Sequence, residues 1–566
     1  MSQVESADRL LGGAGILVQP GRTLATEVSD WFRHVGREKV LRQEIDREFP
    51  AEYLYFLKST GLLERSLVPE WIGTHTDGWT PYRVTGLSEH LAFHSFTHWL
   101  MWHVSSLSGT PVWMSENAAV QKTYAEQFKA GMVGSFGMSE RGAGADWRHT
   151  ATSVKRLAER YVASGGKDYT GNGNVSSLIT TFAQRADGGD RDYILFRADS
   201  RRAGFELVGN VVPEQMYVSE FRLSNYEFDE DDVISTGPQA FADAVNTINV
   251  GKFNLATAAT GLVSRALVEA FHHTSNRTIF GQPAASFGQN QDALCRATLR
   301  LIGMKAFTSR CVDHMHAADE GDDRYVILNA VAKAKVTHDA TDVLHSLSDV
   351  ISAKGFETDS AFRPILKYAE YLPRLEGTKY VNLMQAVRSA PAFFDFARNT
   401  RQAPDAATDS TEAPRYLLTQ RKLGGLERLS FSDHTPSKEA LGHLPPVALF
   451  FTVVERLGRA LFNQPLDQED QRRVQALGEI FAIAVYGTVV GEYARQRPDD
   501  EVWESVFSLI LEDLALTLVR TRHDLADHRE VADSILTAVQ STHTEWPVDR
   551  ITDHLQEAVN RSSGLL

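Results

Sequence analysis

The part of this chain best suited to move a proton is a carboxylate beside a glycine, Leu375-Glu376-Gly377-Thr378. It follows a helical run ending near Gly355 and precedes another expected from Tyr380 to Arg398. In such a connection a Glu side chain can project into a cleft, while Gly377 lets the backbone come close to a ligand. The bland alternative is an exposed Glu flanking a helix. Two further segments carry polar chemistry. Gly137-Met138-Ser139-Glu140, followed by Gly144-Ala145-Asp146, offers backbone N–H groups and a hydroxyl, or simply a turn at a strand end. Arg277-Thr278-Ile279-Phe280-Gly281 puts a guanidinium at a helix end, where it suits either bidentate phosphate binding or the negative end of the helix. His90, His94 and His98 repeat at i, i+4 and i+8 on one helical face, a spacing that metal ligands use. No carboxylate completes a His-Glu-x-x-His pattern, so no metal is expected. Gly12-Gly13-Ala14-Gly15 looks like a fragment of a nucleotide loop, but no strand precedes it, and a flexible turn is the reading.

The elements around these residues set the fold class. With 566 residues, two or three domains are expected. A net charge of −15 argues against a general nucleic-acid binder and requires a local basic patch for any polyanionic substrate. No apolar run reaches the roughly 18 residues of a membrane span. Leu444 to Val454 and Ile480 to Gly491 read instead as buried helices. No secretory signal is visible at the N-terminus. Cys295 and Cys311 stand 16 apart in one expected helix and read as reduced thiols, which suits a cytoplasmic protein.

Residues 1–131 read as a helical domain, with a short helix at Tyr53 to Thr60 closed by Gly61 and a longer one at Leu87 to Val104. Residues 132–238 read as a small β-domain. Leu178 to Ala183 and Tyr193 to Phe196 flank Ala186-Asp187-Gly188-Gly189-Asp190, a hairpin signal, and Phe205 to Val208 and Arg222 to Phe228 add two strands. Over 239–399 a helical period returns at Val250 to Ser275, Asp292 to Ala318, Tyr325 to Ala353 and Tyr380 to Arg398, which suggests a four-helix bundle. Residues 400–415 read as a linker. An additional helical domain over 416–566 has apolar faces at Val447 to Leu461, Val474 to Tyr493 and Val502 to Leu518. The fold class is therefore α+β and mostly α.

In this order and with these separations, the three segments resemble the acyl-CoA dehydrogenase and acyl-CoA oxidase flavoprotein family over about the first 400 residues. Softer tags agree: Gly61-Leu62-Leu63 with Val68-Pro69-Glu70, and Val120-Gln121-Lys122-Thr123-Tyr124. The C-terminal extension resembles the second helical domain of very-long-chain dehydrogenases and of oxidases. The resemblance implies FAD as cofactor and Glu376 as the base that removes a proton next to a thioester carbonyl. A carboxylate in an apolar cleft has its pKa raised, which suits that work. It also implies that the amide of Glu376 and a flavin ribityl hydroxyl polarise the carbonyl. Met138 and Ser139 would meet the flavin pyrimidine edge, and Tyr169 its face. Arg277 and Phe280 would contact the pyrophosphate region of a neighbouring subunit's FAD, and Thr378 fits the position after the base.

Several positions depart from the family pattern. Arg141 stands for a Pro and Ala145 for a Ser. Gly171 replaces the hydroxyl that faces flavin N5, leaving Asn172 or Asn174 to reach in or a backbone N–H to serve. Gly288 stands where a Gln is expected, with Gln289 next, and Asp349 replaces a Gln before Gly355-Phe356. Asn249 and Lys252 replace the family's Asp and Arg beside the pantetheine arm, which with Gly377 forms the expected substrate contact. The expectation is an FAD-dependent acyl-thioester dehydrogenase forming a trans α,β double bond. Its substrate would be acyl-CoA or an acyl-carrier protein, its acceptor an electron-transfer flavoprotein, and its assembly a homodimer. The alternatives are an oxidase that passes electrons to oxygen, a flavin monooxygenase, and a catalytically silent interaction subunit.

Overall fold

The structure, a computed structural model, describes residues 19–562 apart from 76–77, 190, 213–216, 320–321, 406–414, 419–428, 464–465, 468, 498 and 541–544. The Gly12–Gly15 motif and most of the expected linker lie outside the described residues. Contacts divide the chain into two compact units, Leu17–Asn254 with Thr408–Gly424, and Leu255–Ala407 with Gly425–Leu566.

In the first unit, the helix Ala51–Thr60 ends where expected, at Gly61, whose φ of 64° only glycine adopts cheaply. The single helix expected at Leu87 to Val104 is two helices, Pro81–His94 and Phe96–Trp113. Ser95 between them is extended; its amide bonds back to Leu91 O, and its hydroxyl accepts the amide of His98. That one residue is both the end of the first helix and the N-cap of the second. The break also separates the three histidines. His90 and His94 meet the Ser29 hydroxyl at 2.6 and 3.2 Å, whereas His98 Nδ1 turns to Ser95 Oγ at 2.7 Å. Burial pushes His98 down to about 3, so it is neutral. Among the described residues no group of side chains could hold a metal ion.

Eight strands form one sheet: β1 Gly134–Gly137, β2 Ser153–Leu157, β3 Arg160–Thr170, β4 Leu178–Arg185, β5 Tyr193–Ala198, β6 Phe205–Asn210, β7 Ser219–Phe228 and β8 Val233–Thr236. Their order is β6-β7-β3-β2-β4-β5-β8, with β1 added parallel to β4. The strands β4 to β7 lie on the β-like runs of the sequence and were expected. The pattern does not reveal β1, β2, β3 and β8, because β1 and β8 are four residues long, β2 and β3 are rich in charge, and β3 holds Gly165-Gly166. Stacked rings of Tyr161, Phe196 and Phe228 fill the core, at 5.1 and 4.3 Å between centroids. The helix Phe96–Trp113 is buried on every face. Thr180 of β4 donates to Ser108 O at 2.7 Å and therefore accepts from the Tyr124 hydroxyl of the Ala118–Lys129 helix at 2.6 Å.

The 40-residue helix Gly237–Asn276 runs from the first unit into the second. The second unit continues with Gly288–His316, Arg324–Val331, Thr337–Ile351, Phe362–Tyr371 and Lys379–Ala386. Two expected helices are interrupted. The Tyr325 to Ala353 run contains a π-helical turn at Ala332–Val336. The run from Tyr380 ends at Ala386 and gives way to a 3-10 turn and the four-residue helix Ala390–Phe393. The extension folds as Pro445–Leu461, Gln471–Gln496 and Asp500–Arg520, close to the expected spans, followed by Arg529–Gln540 and Val548–Arg561. The helix Gln471–Gln496 is long and apolar enough to cross a membrane, and 89% of its most apolar window is buried inside the protein. A buried ionic knot ties the extension to the bundle. Asp513 accepts from Arg300 at 2.5 and 2.6 Å and from Lys335 at 2.6 Å, and Lys335 also meets Asp339 at 2.6 Å. Both cysteines are buried and free on the Gly288–His316 helix.

Candidate active site

Within the first unit, Met138 and Ser139 leave the end of β1, and a buried ion pair fixes them there. Lys167 of β3 reaches Glu140 Oε1 at 2.6 Å and Met138 O at 3.3 Å. Glu140 also accepts from the hydroxyls of Thr150 and Thr152 and from the amides of Ala151 and Thr152. Burial pushes the Glu140 carboxyl up, but the Lys167 charge and these bonds outweigh it and hold the group at about 2. Burial draws the Lys167 ammonium down to about 8, partly offset by Glu140, so both partners are charged at neutral pH. The amide of Asp168 bonds to Ser139 O at 3.1 Å, which lays the next residue, Tyr169, alongside Met138-Ser139. Tyr169 is half exposed, at 52%. The pairing of Glu140 with Lys167, 27 residues away, is what positions the segment, and residue type and spacing alone do not reveal it.

Two first-unit expectations change. Asn172 does not offer its amide N–H groups to a ligand. Its φ is 56°, and its Nδ2 donates to Met101 O at 2.8 Å and Gly134 O at 3.0 Å, stapling β1 to the Phe96–Trp113 helix. Gly171 is glycine because a Cβ there would lie 2.7 Å from Val104 Cγ2. A hydroxyl-bearing side chain at 171 therefore requires Val104 to move, and the departure noted in the sequence has a packing cause. Ala145 is exposed in the loop after Glu140. Asn249 and Lys252 are both buried on the Gly237–Asn276 helix, at 1% and 6% exposure. So complete an enclosure is unusual for a lysine.

Within the second unit, Glu376 lies in the turn between Phe362–Tyr371 and Lys379–Ala386, not after the helix ending near Gly355. Its backbone is left-handed, with φ 53°, and Gly377 follows at φ 92°. A non-glycine residue in this region costs on the order of 1 kcal/mol, and such strain concentrates at functional sites. The turn is held from both sides. The amides of Arg374 and Leu375 bond to Tyr371 O, and Asn382 Nδ2 donates to Gly377 O at 3.1 Å and Thr378 O at 2.9 Å. Glu376 is half-buried and Thr378 exposed.

Arg277 is exposed at the end of the Gly237–Asn276 helix and opens a two-stranded hairpin that pairs Thr278–Ile279 with Gln282–Pro283. Phe280 and Gly281 form its tip, both left-handed, with φ 49° and 81°. Phe280 is 94% exposed, an unusual state for a phenyl ring and one that a ligand or partner would relieve. Gln289, in the first turn of the Gly288–His316 helix, is exposed as well.

The donor set fits a flavin nucleotide in kind. An exposed guanidinium suits a pyrophosphate, and an exposed tyrosyl ring suits a planar heterocycle. The Gly171 position supplies no side-chain hydroxyl.

The family model for the acyl-CoA dehydrogenase C-terminal domain matches residues 241–390. A 3-(aryl)acrylate reductase of Clostridium sporogenes is 22% identical over 375 residues, covering 63% of this chain and 97% of that protein. The human mitochondrial very long-chain specific acyl-CoA dehydrogenase is 24% identical over 261 residues, 44% of this chain and 39% of its own length. The crystal structure of an acyl-CoA dehydrogenase from Bacillus anthracis, complexed with FAD, superposes with a TM-score of 0.70 at 16% identity. It covers 96% of this chain and 94% of its own, so the likeness of fold includes the C-terminal extension.

Proposed function

The chain belongs to the acyl-CoA dehydrogenase family, FAD-dependent oxidoreductases acting on CH–CH bonds, and from that premise we propose that Glu376 removes the α-proton of an acyl thioester to form a trans α,β double bond. The observation that carries the reading is the Glu376-Gly377 turn. Two consecutive left-handed residues, pinned by Asn382, present a carboxylate from a backbone that costs energy to hold. When bound, the flavin supplies the two-electron acceptor for the β-hydrogen.

The remaining chemistry belongs to the chain. Glu376 holds the abstracted proton, and its own amide donates to the thioester carbonyl as negative charge develops there. Met138-Ser139 and Tyr169 hold the ring system, and Arg277 with Phe280 engages the pyrophosphate end. Thr378 follows the base by two residues, and Asn249 and Lys252 are the substrate contacts that the family resemblance implies. Acyl-CoA is the expected substrate form, with an acyl-carrier protein as the second candidate. An electron-transfer flavoprotein is the expected acceptor, with oxygen as the alternative. The nearly bare Phe280 tip supports a homodimer in which that ring is covered. The two buried free thiols support a cytoplasmic setting.

Anaerobic titration of the flavin-loaded protein with acyl-CoAs of graded length tests the reading. Bleaching of the oxidised-flavin band, abolished in Glu376→Gln while the yellow colour persists, is the expected result. Bleaching that survives Glu376→Gln removes the base assignment, and a protein that cannot be loaded with FAD removes the enzyme reading.

A further inference from the structure

Inside the second unit a narrow cavity opens where the Gly288–His316 helix meets Gln471–Gln496. Its polar end is formed by His314, Glu492, Arg324, Ser432 and Thr488, and its other walls are apolar. Glu492 is 3% exposed and His314 4%. The Glu492 carboxylate accepts from His314 Nε2 at 3.0 Å and from Arg310 at 3.2 and 3.4 Å. A carboxylate so placed only accepts hydrogen bonds, so Nε2 carries the proton. The other ring nitrogen, Nδ1, is buried, and no protein hydrogen bond reaches it among the described residues. Leaving such an atom unsatisfied is unfavourable, because its loss of hydration is not repaid.

The charges around the cavity are already matched. Arg324 is held in a fork by Asp322 at 2.8 and 2.8 Å and donates to Ser432 Oγ at 3.0 Å. Glu492 is answered by Arg310 and His314, and Arg310 is shared with Asp313. An anion or cation would therefore upset a balanced set, and the occupant must be neutral. The room left for water centres is about 20 Å³, where roughly 10–15 Å³ already holds one molecule. The occupant must also reach an imidazole nitrogen whether that nitrogen carries a lone pair or a proton.

We infer that this cavity is a built site for a single buried water, hydrogen-bonded to His314 Nδ1 and to a hydroxyl of Thr488 or Ser432. A water can both donate and accept, so it completes the Arg310–Glu492–His314 joint between bundle and extension in either protonation state of the ring. The site lies outside the residues assigned to catalysis, and its existence does not depend on the substrate.

A high-resolution crystal structure of the full flavin-loaded chain tests the site directly. The expected result is density within hydrogen-bonding distance of His314 Nδ1 and of one hydroxyl, retained in Ser432→Ala or in Thr488→Val but not in both. In ¹⁵N-histidine spectra, assigned with His314→Gln, Nε2 should be protonated. A dry cavity, a protein donor on Nδ1, or a neutral ring protonated on Nδ1 would each overturn the inference. Because the readouts are density and tautomer, loss of activity in a variant does not bear on the outcome.

Discussion

Replacing Asp513 by Asn should unfasten the C-terminal extension from the bundle. Asp513 is 15% exposed and is the shared acceptor for two cations, Arg300 through both terminal nitrogens and Lys335 through its ammonium. Asparagine keeps the volume and removes the charge, leaving two buried cations against Asp339 alone. Breaking a buried pair by deleting one partner costs about 3–5 kcal/mol, because an uncompensated charge remains in a medium that solvates it poorly. Two cations share the loss here, so the upper half of that range is expected. Urea unfolding followed by far-ultraviolet circular dichroism gives the difference directly. Lys335→Met in the same chain should recover part of it, since the double variant leaves one cation fewer unpaired. A single-variant loss below about 1 kcal/mol, the scale of exposed ion pairs, would show that water reaches this cluster and that the extension is held by its apolar faces alone.

Other outcomes follow from the first unit. Gly171→Ser should destabilise by about 1–3 kcal/mol through overpacking against Val104, and Val104→Ala should restore most of it; thermal unfolding of the single and double variants reads the coupling. Glu140 is held at about 2, below its ordinary 4.5. Its contribution to stability is therefore fully present above about pH 4.5 and is lost as pH falls towards 2. Glu492 in the second unit, held at about 2 by His314 and Arg310 against the upward pull of burial, behaves alike. Unfolding measured from pH 5 to pH 2 should lose stability steeply in the wild type. The slope should be shallower in Glu140→Gln, and an unchanged slope would remove Glu140 from the account.

How far the sequence reaches differs from residue to residue. Leu178 to Ala183, Val447 to Leu461 and the Gly61 stop were legible because period and capping act through neighbours along the chain. The order of Ser139, Arg277 and Glu376 was legible as well, since residue type and spacing need no coordinates. The break at Ser95 was not, because a serine within an apolar helical run becomes an N-cap only when both flanking helices have somewhere to pack. The strands β2 and β3 were hidden because exposed Lys155, Arg156 and Arg160 break the apolar pattern, and because the charges of Lys167 and Asp168 are buried only through ion pairs with Glu140 and Arg222, which come from distant sequence.

The tertiary structure alone decided what the irregular positions do. Asn172 looked like a ligand group and is a staple between β1 and a helix, because its left-handed backbone turns the amide inward to two carbonyls. Gly171 looked like a lost hydroxyl and is a contact point for Val104. Glu140 and Lys167, 27 residues apart, become one buried ion pair. Types and spacing determine which chemistry a chain can attempt, while desolvation and steric exclusion, which depend on neighbours remote in sequence, determine which side chains are left to attempt it.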